Sequence, residues 1–241
     1  MARTDPGRVR ASNQDVVGVD PDLGVAVLAD GMGGLSRGAE ASAQAVTFLL
    51  ETLHRRAALG QAPPDAAALA VLVADANRHL RQLAEAPGSG GLMGTTLELC
   101  VHAGAGRCHL AHVGDSRAYR YRGGVLEQLT QDHSLVQELV REGVLTAAEA
   151  RHAPNRNVIT RALGLERQVQ VDLLTIEACS GELLLLCSDG LWDLVSDAAL
   201  CGELAAVARR ERTLADAAAR LVDLANRAGG TDNVSLVLLE I

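Results

Sequence analysis

The chain contains no lysine; all 22 of its basic residues are arginine. That absence removes several mechanisms outright. There is no lysine to reach phosphates from a nucleotide-binding loop, none for a kinase strand, and none to form a Schiff base. Aromatic residues are almost as scarce, at 2%: Phe48, Tyr119, Tyr121 and Trp192. A core must therefore be built from Leu, Val and Ala. With a net charge of −8 and so few rings, the chain lacks the basic patches and stacking platforms of a nucleic-acid binder. The five cysteines (Cys100, Cys108, Cys179, Cys187 and Cys201) are odd in number and show no CxxC spacing, which argues against a disulfide framework or a zinc site. None has an Arg six positions on, so the phosphate-cradling loop of cysteine-dependent tyrosine phosphatases is missing. The N-terminus has no apolar signal core, and no apolar stretch approaches the ~18 residues that span a bilayer. A soluble, cytoplasmic protein with no membrane association is expected.

What is present is ample core material: 241 residues, 48% of them hydrophobic, enough for one large domain. The run Leu23 to Ala29 reads as a buried strand ending at Asp30-Gly31, followed by a flexible Gly-rich loop from Met32 to Gly38. Helical spacing predicts a helix from about Ala39 to Arg56. After a break at Pro63-Pro64-Asp65 it predicts a second, through Leu69, Leu72, Val73, Ala76, Leu80 and Leu83. Thr95 to Val101, Arg107 to Val113, Ala118 to Arg122 and Val125 to Leu129 are separated by Gly-containing turns and read as an antiparallel meander. From His133 to about Leu163 the pattern is polar and helical. Strands resume at Val169 to Ile176 and Glu182 to Cys187, helices fill Asp197 to Arg209 and Leu214 to Arg227, and Val234 to Ile241 forms a last strand. Helices thus come in pairs between groups of antiparallel strands. Regular strand–helix alternation is absent, so the expected class is α+β, with two sheets packed together and helices outside. The chain stops with its last strand, and no regulatory tail is expected.

Carboxylates recur at strand ends. Asp30 follows VAVLA, Asp115 follows HLAHVG, Asp189 follows LLLLCS, and Asp232 precedes NVSLVLLE. Asp132 follows another strand and a Thr-Gln pair. An unpaired carboxylate is costly to bury, so these groups must reach a loop rim. Any one of them is explained by turn chemistry, since Asp-Gly and Asp-Asn are common turn formers. If the strands are neighbours, however, the side chains converge, and two like charges about 5 Å apart repel by ~3 kcal/mol at an effective dielectric of 20. Such a cluster calls for a cation. All-oxygen donors without paired His or Cys point to Mg²⁺ or Mn²⁺ rather than Zn²⁺. Two such ions roughly 3.5–4 Å apart suit hydrolysis of a phosphate ester, and a nearby Arg would grip the phosphate.

Read in order, the chain carries Arg10-Ala11-Ser12-Asn13-Gln14-Asp15, Ala29-Asp30-Gly31-Met32-Gly33-Gly34, Gly94-Thr95-Thr96 and Val113-Gly114-Asp115-Ser116-Arg117-Ala118-Tyr119. Thr130-Gln131-Asp132-His133-Ser134, Ile159-Thr160-Arg161-Ala162-Leu163-Gly164, Cys187-Ser188-Asp189-Gly190-Leu191-Trp192-Asp193 and Asp232-Asn233-Val234 complete the set. This set resembles the metal-dependent protein phosphatase family, also called the 2C-type, and most of all its compact bacterial members. The resemblance implies a four-layer α-β-β-α sandwich of two antiparallel sheets flanked by helix pairs, forming a single catalytic domain over residues 1–241. It implies hydrolysis of phosphoserine and phosphothreonine in proteins by direct attack of a metal-bound water, with two to three Mn²⁺ or Mg²⁺ ions. Asp30 would bridge two metals, with the backbone carbonyl of Gly31 on one of them and Asp189 and Asp232 on the other. Asp132, with Asp189, would form a third metal site. Asp15 would orient water from behind the ligands, and Arg10 would bind the substrate phosphate. The segment at about 134–160 would be a flap over the cleft. The partners implied are phosphoproteins, as targets of a Ser/Thr kinase or the kinase itself, met by a monomer.

Other residues read as structural. Asp115 and Arg117 are expected to form an ion pair shaping the cleft floor, Trp192 to pack in the core, and His109 and His112 to be strand residues. Two departures from the family pattern stand out. Gln14, a neutral and weaker ligand, occupies a position where many relatives have Glu. Met32 stands where eukaryotic relatives carry a proposed general acid, and Met cannot donate a proton. His133 or a metal-bound water is left as the source of the leaving-group proton, so aryl phosphates with good leaving groups should be favoured. Two other classes compete. A non-catalytic phosphoprotein-binding member of the fold would have lost metal ligands, yet Asp30, Asp132, Asp189 and Asp232 are all retained. A nucleotide-binding domain is suggested by the loop from Gly31 to Gly38, but Ser36 stands where the third Gly of a dinucleotide fingerprint belongs.

Overall fold

In the computed structural model, which describes residues 1–32 and 37–241, the apolar runs fold as ten strands. These are β1 (Ala2–Asp5), β2 (Asp15–Asp20), β3 (Val25–Asp30), β4 (Leu97–Gly104), β5 (Arg107–Val113), β6 (Arg117–Arg122), β7 (Val125–Gln128), β8 (Asp172–Glu177), β9 (Leu183–Cys187) and β10 (Val234–Glu240). The described helices are α1 (Gly38–Ala58), α2 (Ala66–Glu85), α3 (Leu135–Arg141), α4 (Ala147–Ala150), α5 (Asp189–Trp192), α6 (Asp197–Ala208) and α7 (Leu214–Arg227). Most of the Gly-rich loop expected between Met32 and Gly38 lies outside the described residues.

The strands form two five-stranded sheets, ordered β1-β10-β9-β6-β7 and β2-β3-β4-β5-β8. Every pairing between named strands is antiparallel. The period-two alternation of side chains explains the layering. In β3, Val25, Val27 and Ala29 face α1 and α2, while Ala26 and Leu28 face the other sheet. In β9, Leu183, Leu185 and Cys187 face α6 and α7, while Leu184 and Leu186 point between the sheets. Central strands are therefore covered on both faces, which is why they read as unbroken apolar runs. The result is the expected α-β-β-α sandwich. Several helix starts are capped by side chains: Asp65 accepts from the Ala68 N–H, and Thr213 and Asp216 form a reciprocal capping box.

Three features differ from the sequence reading. The middle strands are not one meander. β4 and β5 belong to one sheet and β6 and β7 to the other, so the chain changes sheet at the turn Gly114-Asp115-Ser116. Alternation within a strand cannot reveal which sheet it joins. Strands β1 and β2 also went unread. β1 (ARTD) is a polar edge strand, and β2 edges its own sheet with only partial burial. The strand expected from Val169 begins at Asp172, while Val169 and Val171 pack against the α1–α2 core from outside it.

This architecture gathers the strand-end carboxylates. Asp15 and Asp30 are direct register partners at one end of β2 and β3. In the other sheet Cys187, the last residue of β9, pairs with Leu236 near the start of β10, which brings Ser188-Asp189 beside Asp232-Asn233. The contact is tight at Gly190. A Cβ there would overlap the carbonyl oxygen of Asn233 and lie 2.9 Å from its carbonyl carbon. Both are backbone atoms, so relief would require moving the Asn233 backbone, next to Asp232. Gly190→Ala is expected to lower the unfolding free energy by about 1–3 kcal/mol, read as the urea midpoint of the purified variant. An unchanged midpoint would mean that α5 and β10 are not held this closely.

Candidate functional site

The carboxylates are positioned through backbone atoms tied by neighbouring side chains. Asp30 donates its N–H to Thr96 Oγ1 (3.0 Å), and its carbonyl accepts from the Thr96 N–H (2.9 Å) and from Thr95 Oγ1 (2.8 Å). Thr96 Oγ1 also meets Ser116 Oγ at 2.8 Å, so the two threonines join the end of β3 to the turn that carries Asp115. Ser188 Oγ donates to Asp15 Oδ2 (2.9 Å) and accepts from the Ser235 N–H (3.0 Å), fixing Asp15 from the opposite sheet. Asn233 lashes down the segment bearing Arg10: its Oδ1 accepts from the Gln14 N–H (2.8 Å), and its Nδ2 donates to the carbonyls of Pro6 (3.0 Å) and Ser12 (2.9 Å). Arg10 Nη2 then donates to Asp232 Oδ2 at 2.6 Å.

Arg10, Gln14, Asp30, Gly31, Met32, Asp115, Asp189 and Asp232 line one cleft of about 560 Å³, with Asn157 and Ile159 on its far wall. Asp30 and Asp189 keep some contact with solvent there, yet protein surrounds them and their pKa values lie well above the usual carboxylate range. Burial is the largest cause. The charges of Asp15, Asp189 and Asp115 add to it at Asp30, and those of Asp115, Asp232 and Asp15 at Asp189. Burial, with the charge of Asp132, pushes Asp115 up to about 7. Asp15 is raised by burial and held back by its hydrogen bonds to Ser235 and Ser188. Arg10 is raised by its hydrogen bond and charge contact with Asp232.

This donor set fits a hard divalent cation. Every candidate ligand is an oxygen. Asp15 Oδ1 and Asp115 Oδ1 are buried without a hydrogen-bond donor. The mutual repulsion of the cluster is what a cation would relieve. Among the described residues no three His, Cys, Asp or Glu side chains already close on a single point, so the carboxylates form a rim rather than a shut cage.

One expected ligand sits elsewhere. Arg117 engages both oxygens of Asp132, Nε to Oδ1 at 2.8 Å and Nη2 to Oδ2 at 2.7 Å, and Asp132 does not line the cleft. It lines the adjoining cavity, with Trp192 and Asp193. The hairpin of β6 and β7 accounts for this, because it lays the segment after β7 alongside Arg117; the Ala118 N–H reaches Thr130 Oγ1 at 2.9 Å. Asp115, expected as the partner of Arg117, is instead the residue whose free oxygen lies within the charge field of Asp189. Its signal in the sequence was the one it shares with Asp30 and Asp189, an Asp closing an apolar strand.

His133 also lies outside the cleft lining. Its Nδ1 accepts from the Gly114 N–H at 3.1 Å, and burial pushes it down to about 4, so it is neutral at physiological pH and no source for a leaving-group proton. Trp192 is only half-buried; its Nε1–H donates to the Asp115 carbonyl at 3.0 Å and its ring stacks under the Arg117 guanidinium at 3.5 Å. Segment 134–160 is pinched at its base by a Ser134–Ile159 bridge and the Leu135 N–H to Val158 carbonyl bond (2.9 Å). It reaches α5 through Arg156 and Asp193 at 3.4 Å.

Comparison with known proteins places this geometry among its relatives. The family described as protein phosphatase 2C matches residues 8–225. A serine/threonine phosphatase of Listeria innocua is 37% identical over 99% of this chain and 94% of its own length. The PstP serine/threonine protein phosphatase of Mycobacterium tuberculosis is 41% identical over 100% of this chain, which spans 44% of that longer protein. A crystal structure of the M. tuberculosis phosphatase superposes with a TM-score of 0.87 at 38% identity, covering 100% of this chain and 97% of that one. A structure of the PstP catalytic domain in complex with two manganese ions gives a TM-score of 0.85 at 38% identity, with coverage of 100% and 96%.

The raised carboxylates carry a pH signature. Because the native state holds protons that the unfolded chain has already lost above pH ~4, their contribution to stability is present below that pH. It is lost as pH rises through the native values, about 7 for Asp115. Asp189→Asn removes one repelling charge. In EDTA its Tm advantage over the parent protein is expected to be small at pH 5 and to grow by pH 8, at roughly 2–4 °C per kcal/mol relieved. A difference that is flat across that range would contradict the repulsion.

Proposed function

The chain belongs to the protein phosphatase 2C family and is a serine/threonine protein phosphatase; we propose that it cleaves phosphoserine and phosphothreonine at the cleft floored by Asp30, Asp115, Asp189 and Asp232. The observation that carries this reading is the convergence of those carboxylates, with the pKa values of Asp30, Asp115 and Asp189 raised and an orphaned buried oxygen on Asp115, next to the half-exposed guanidinium of Arg10. The family is metal-dependent, and the chemistry of the donors favours two to three Mn²⁺ or Mg²⁺ ions. When bound, such ions make a ligated water acidic and neutralise phosphate oxygens.

The chain's own residues supply the rest. Asp30, with the Gly31 carbonyl, sits between the two halves of the site and is the proposed bridging ligand. Asp189 and Asp232 are proposed for the second ion. Asp115 is the proposed partner of Asp189 in a third position, since the Asp132 oxygens are taken by Arg117. Asp15, fixed by Ser188, is proposed to hold a metal-bound water in place by hydrogen bonding. Arg10 uses one nitrogen on Asp232, leaving other N–H groups of its fork for the substrate phosphate. Neither side chain considered as a leaving-group acid serves: Met32 cannot donate, and His133 lies outside the cleft lining with its Nδ1 accepting from the Gly114 N–H.

Residues 134–160 are proposed as the flap over this cleft, its Asn157 and Ile159 meeting the substrate side. The substrates are phosphoproteins; we propose targets of a Ser/Thr kinase, or the kinase itself, met by a monomer in the cytoplasm. No helix among the described residues is long and apolar enough to cross a membrane.

Hydrolysis of p-nitrophenyl phosphate tests the assignment. Turnover is expected with Mn²⁺ or Mg²⁺, abolished by EDTA and by Asp30→Asn or Asp189→Asn. Arg10→Ala should lower kcat/KM by about 10- to 100-fold, the equivalent of a lost charged hydrogen bond. Across a series of aryl and alkyl phosphates the rate should fall steeply as the leaving-group pKa rises. Turnover indifferent to EDTA would refute the metal assignment, and a flat series would mean that a general acid has been overlooked.

A further inference from the structure

We propose that His133 and Trp192 are positioning residues that aim the Asp115 carboxylate into the cleft; the proposal rests on the reading of Asp115 as a working member of the carboxylate set. The turn bearing Asp115 has an awkward task, since it carries the chain out of β5 in one sheet and into β6 in the other. Gly114 meets it with a φ of +111°, in a position where a Cβ would lie 2.6 Å from Thr96 Cγ2. A left-handed glycine has no side chain to hold it, so the direction of the next residue must be set from outside.

His133 holds one side of the turn with two bonds. Its ring Nδ1 accepts from the Gly114 N–H at 3.1 Å, and its own backbone N–H donates to the Gly114 carbonyl at 2.7 Å. The ring is itself fixed. Its Nε2 lies between Asp172 Oδ2 at 3.3 Å and Arg161 Nη1 at 3.2 Å. The ring leans on that of His112 (centroids 4.5 Å apart), and His112 is anchored by Glu98 (2.6 Å) and by the Gln131 carbonyl (2.9 Å). All of these groups lie behind the turn, away from the cleft lining.

Trp192 holds the other side. Its Nε1–H donates to the carbonyl of Asp115 itself at 3.0 Å. Trp192 is the last residue of the single-turn helix α5, and Asp189 is the first. This hydrogen bond therefore ties the Asp115 backbone to the element that presents Asp189, so the spacing of the two carboxylates is set through Trp192. The stacked Arg117, held by Asp132, keeps the indole in place.

The test uses Trp192→Phe, which removes the N–H donor and keeps an aromatic ring under Arg117, and a His133 pair. Asn carries an acceptor at the δ position, where the Gly114 N–H needs it, whereas Gln carries its acceptor one bond further out. With p-nitrophenyl phosphate and Mn²⁺, Trp192→Phe and His133→Gln should each lower kcat by about tenfold with KM within about twofold. His133→Asn should stay within about threefold of the parent, and neither loss should add to that of Asp115→Asn in a double-mutant cycle. A metal-free readout exists as well, because Trp192 is the only tryptophan in the chain. Its indole N–H should be protected from hydrogen exchange in the parent protein and lose protection in His133→Gln, in EDTA. Unchanged kcat in Trp192→Phe and His133→Gln while Asp115→Asn is impaired, or losses fully additive with Asp115→Asn, would overturn the clamp and leave the phosphatase reading intact. Full activity in Asp115→Asn would overturn the role of Asp115, and the clamp with it.

Discussion

Crowded negative charge is the constraint around which this molecule is built. Asp15 and Asp30 face each other across a strand pair, Asp189 and Asp232 lie side by side in the other sheet, and Asp115 closes the gap from the turn between sheets. None can move away. Strands β3, β9 and β10 are covered on both faces, Thr95 and Thr96 tie the Asp30 backbone, Ser188 fixes the Asp15 carboxylate, and Asn233 ties the Gln14 backbone. The fold therefore stores an electrostatic cost that protons or cations must offset, a common trade of stability for function at sites of this kind.

Much of this is legible in the sequence, for a physical reason. A strand covered on both faces must be continuously apolar, so LGVAVLA and LLLLC announce buried strands, and the Asp that ends each one announces a rim. What could not be read was which strands share a sheet. The turn at Gly114 sends β6 to the opposite sheet, and with that change Arg117 turns to Asp132 while Asp115 turns to the cleft. The positions of these two aspartates are thereby exchanged relative to expectation. The residues that tie the site together were also silent, because Ser188 and Asn233 act through bonds that span 173 and 219 positions of the chain.

The two departures from the family pattern are easier to understand in place. Position 14 is held mainly through its backbone: the Gln14 N–H goes to Asn233, and its carbonyl accepts from Gly31 (3.0 Å) and Ser42 (2.5 Å). A neutral amide side chain satisfies those demands as well as a carboxylate, and adds no further charge to a crowded cleft. Met32 likewise bonds through its backbone N–H, to the Gly94 carbonyl at 3.0 Å, leaving its thioether as an apolar part of the wall.

If the carboxylates hold protons because they are buried and repel one another, a cation must displace those protons when it binds. The most direct measurement is calorimetric titration of the metal-free protein with Mn²⁺ at pH 6.5 in buffers of different ionisation enthalpy, which counts the protons released. The account predicts release of at least about one proton per chain, falling as pH is raised past the Asp115 value of about 7. Mn²⁺ binding with no proton release at any pH would contradict it, because the cluster would then already be fully ionised without a cation.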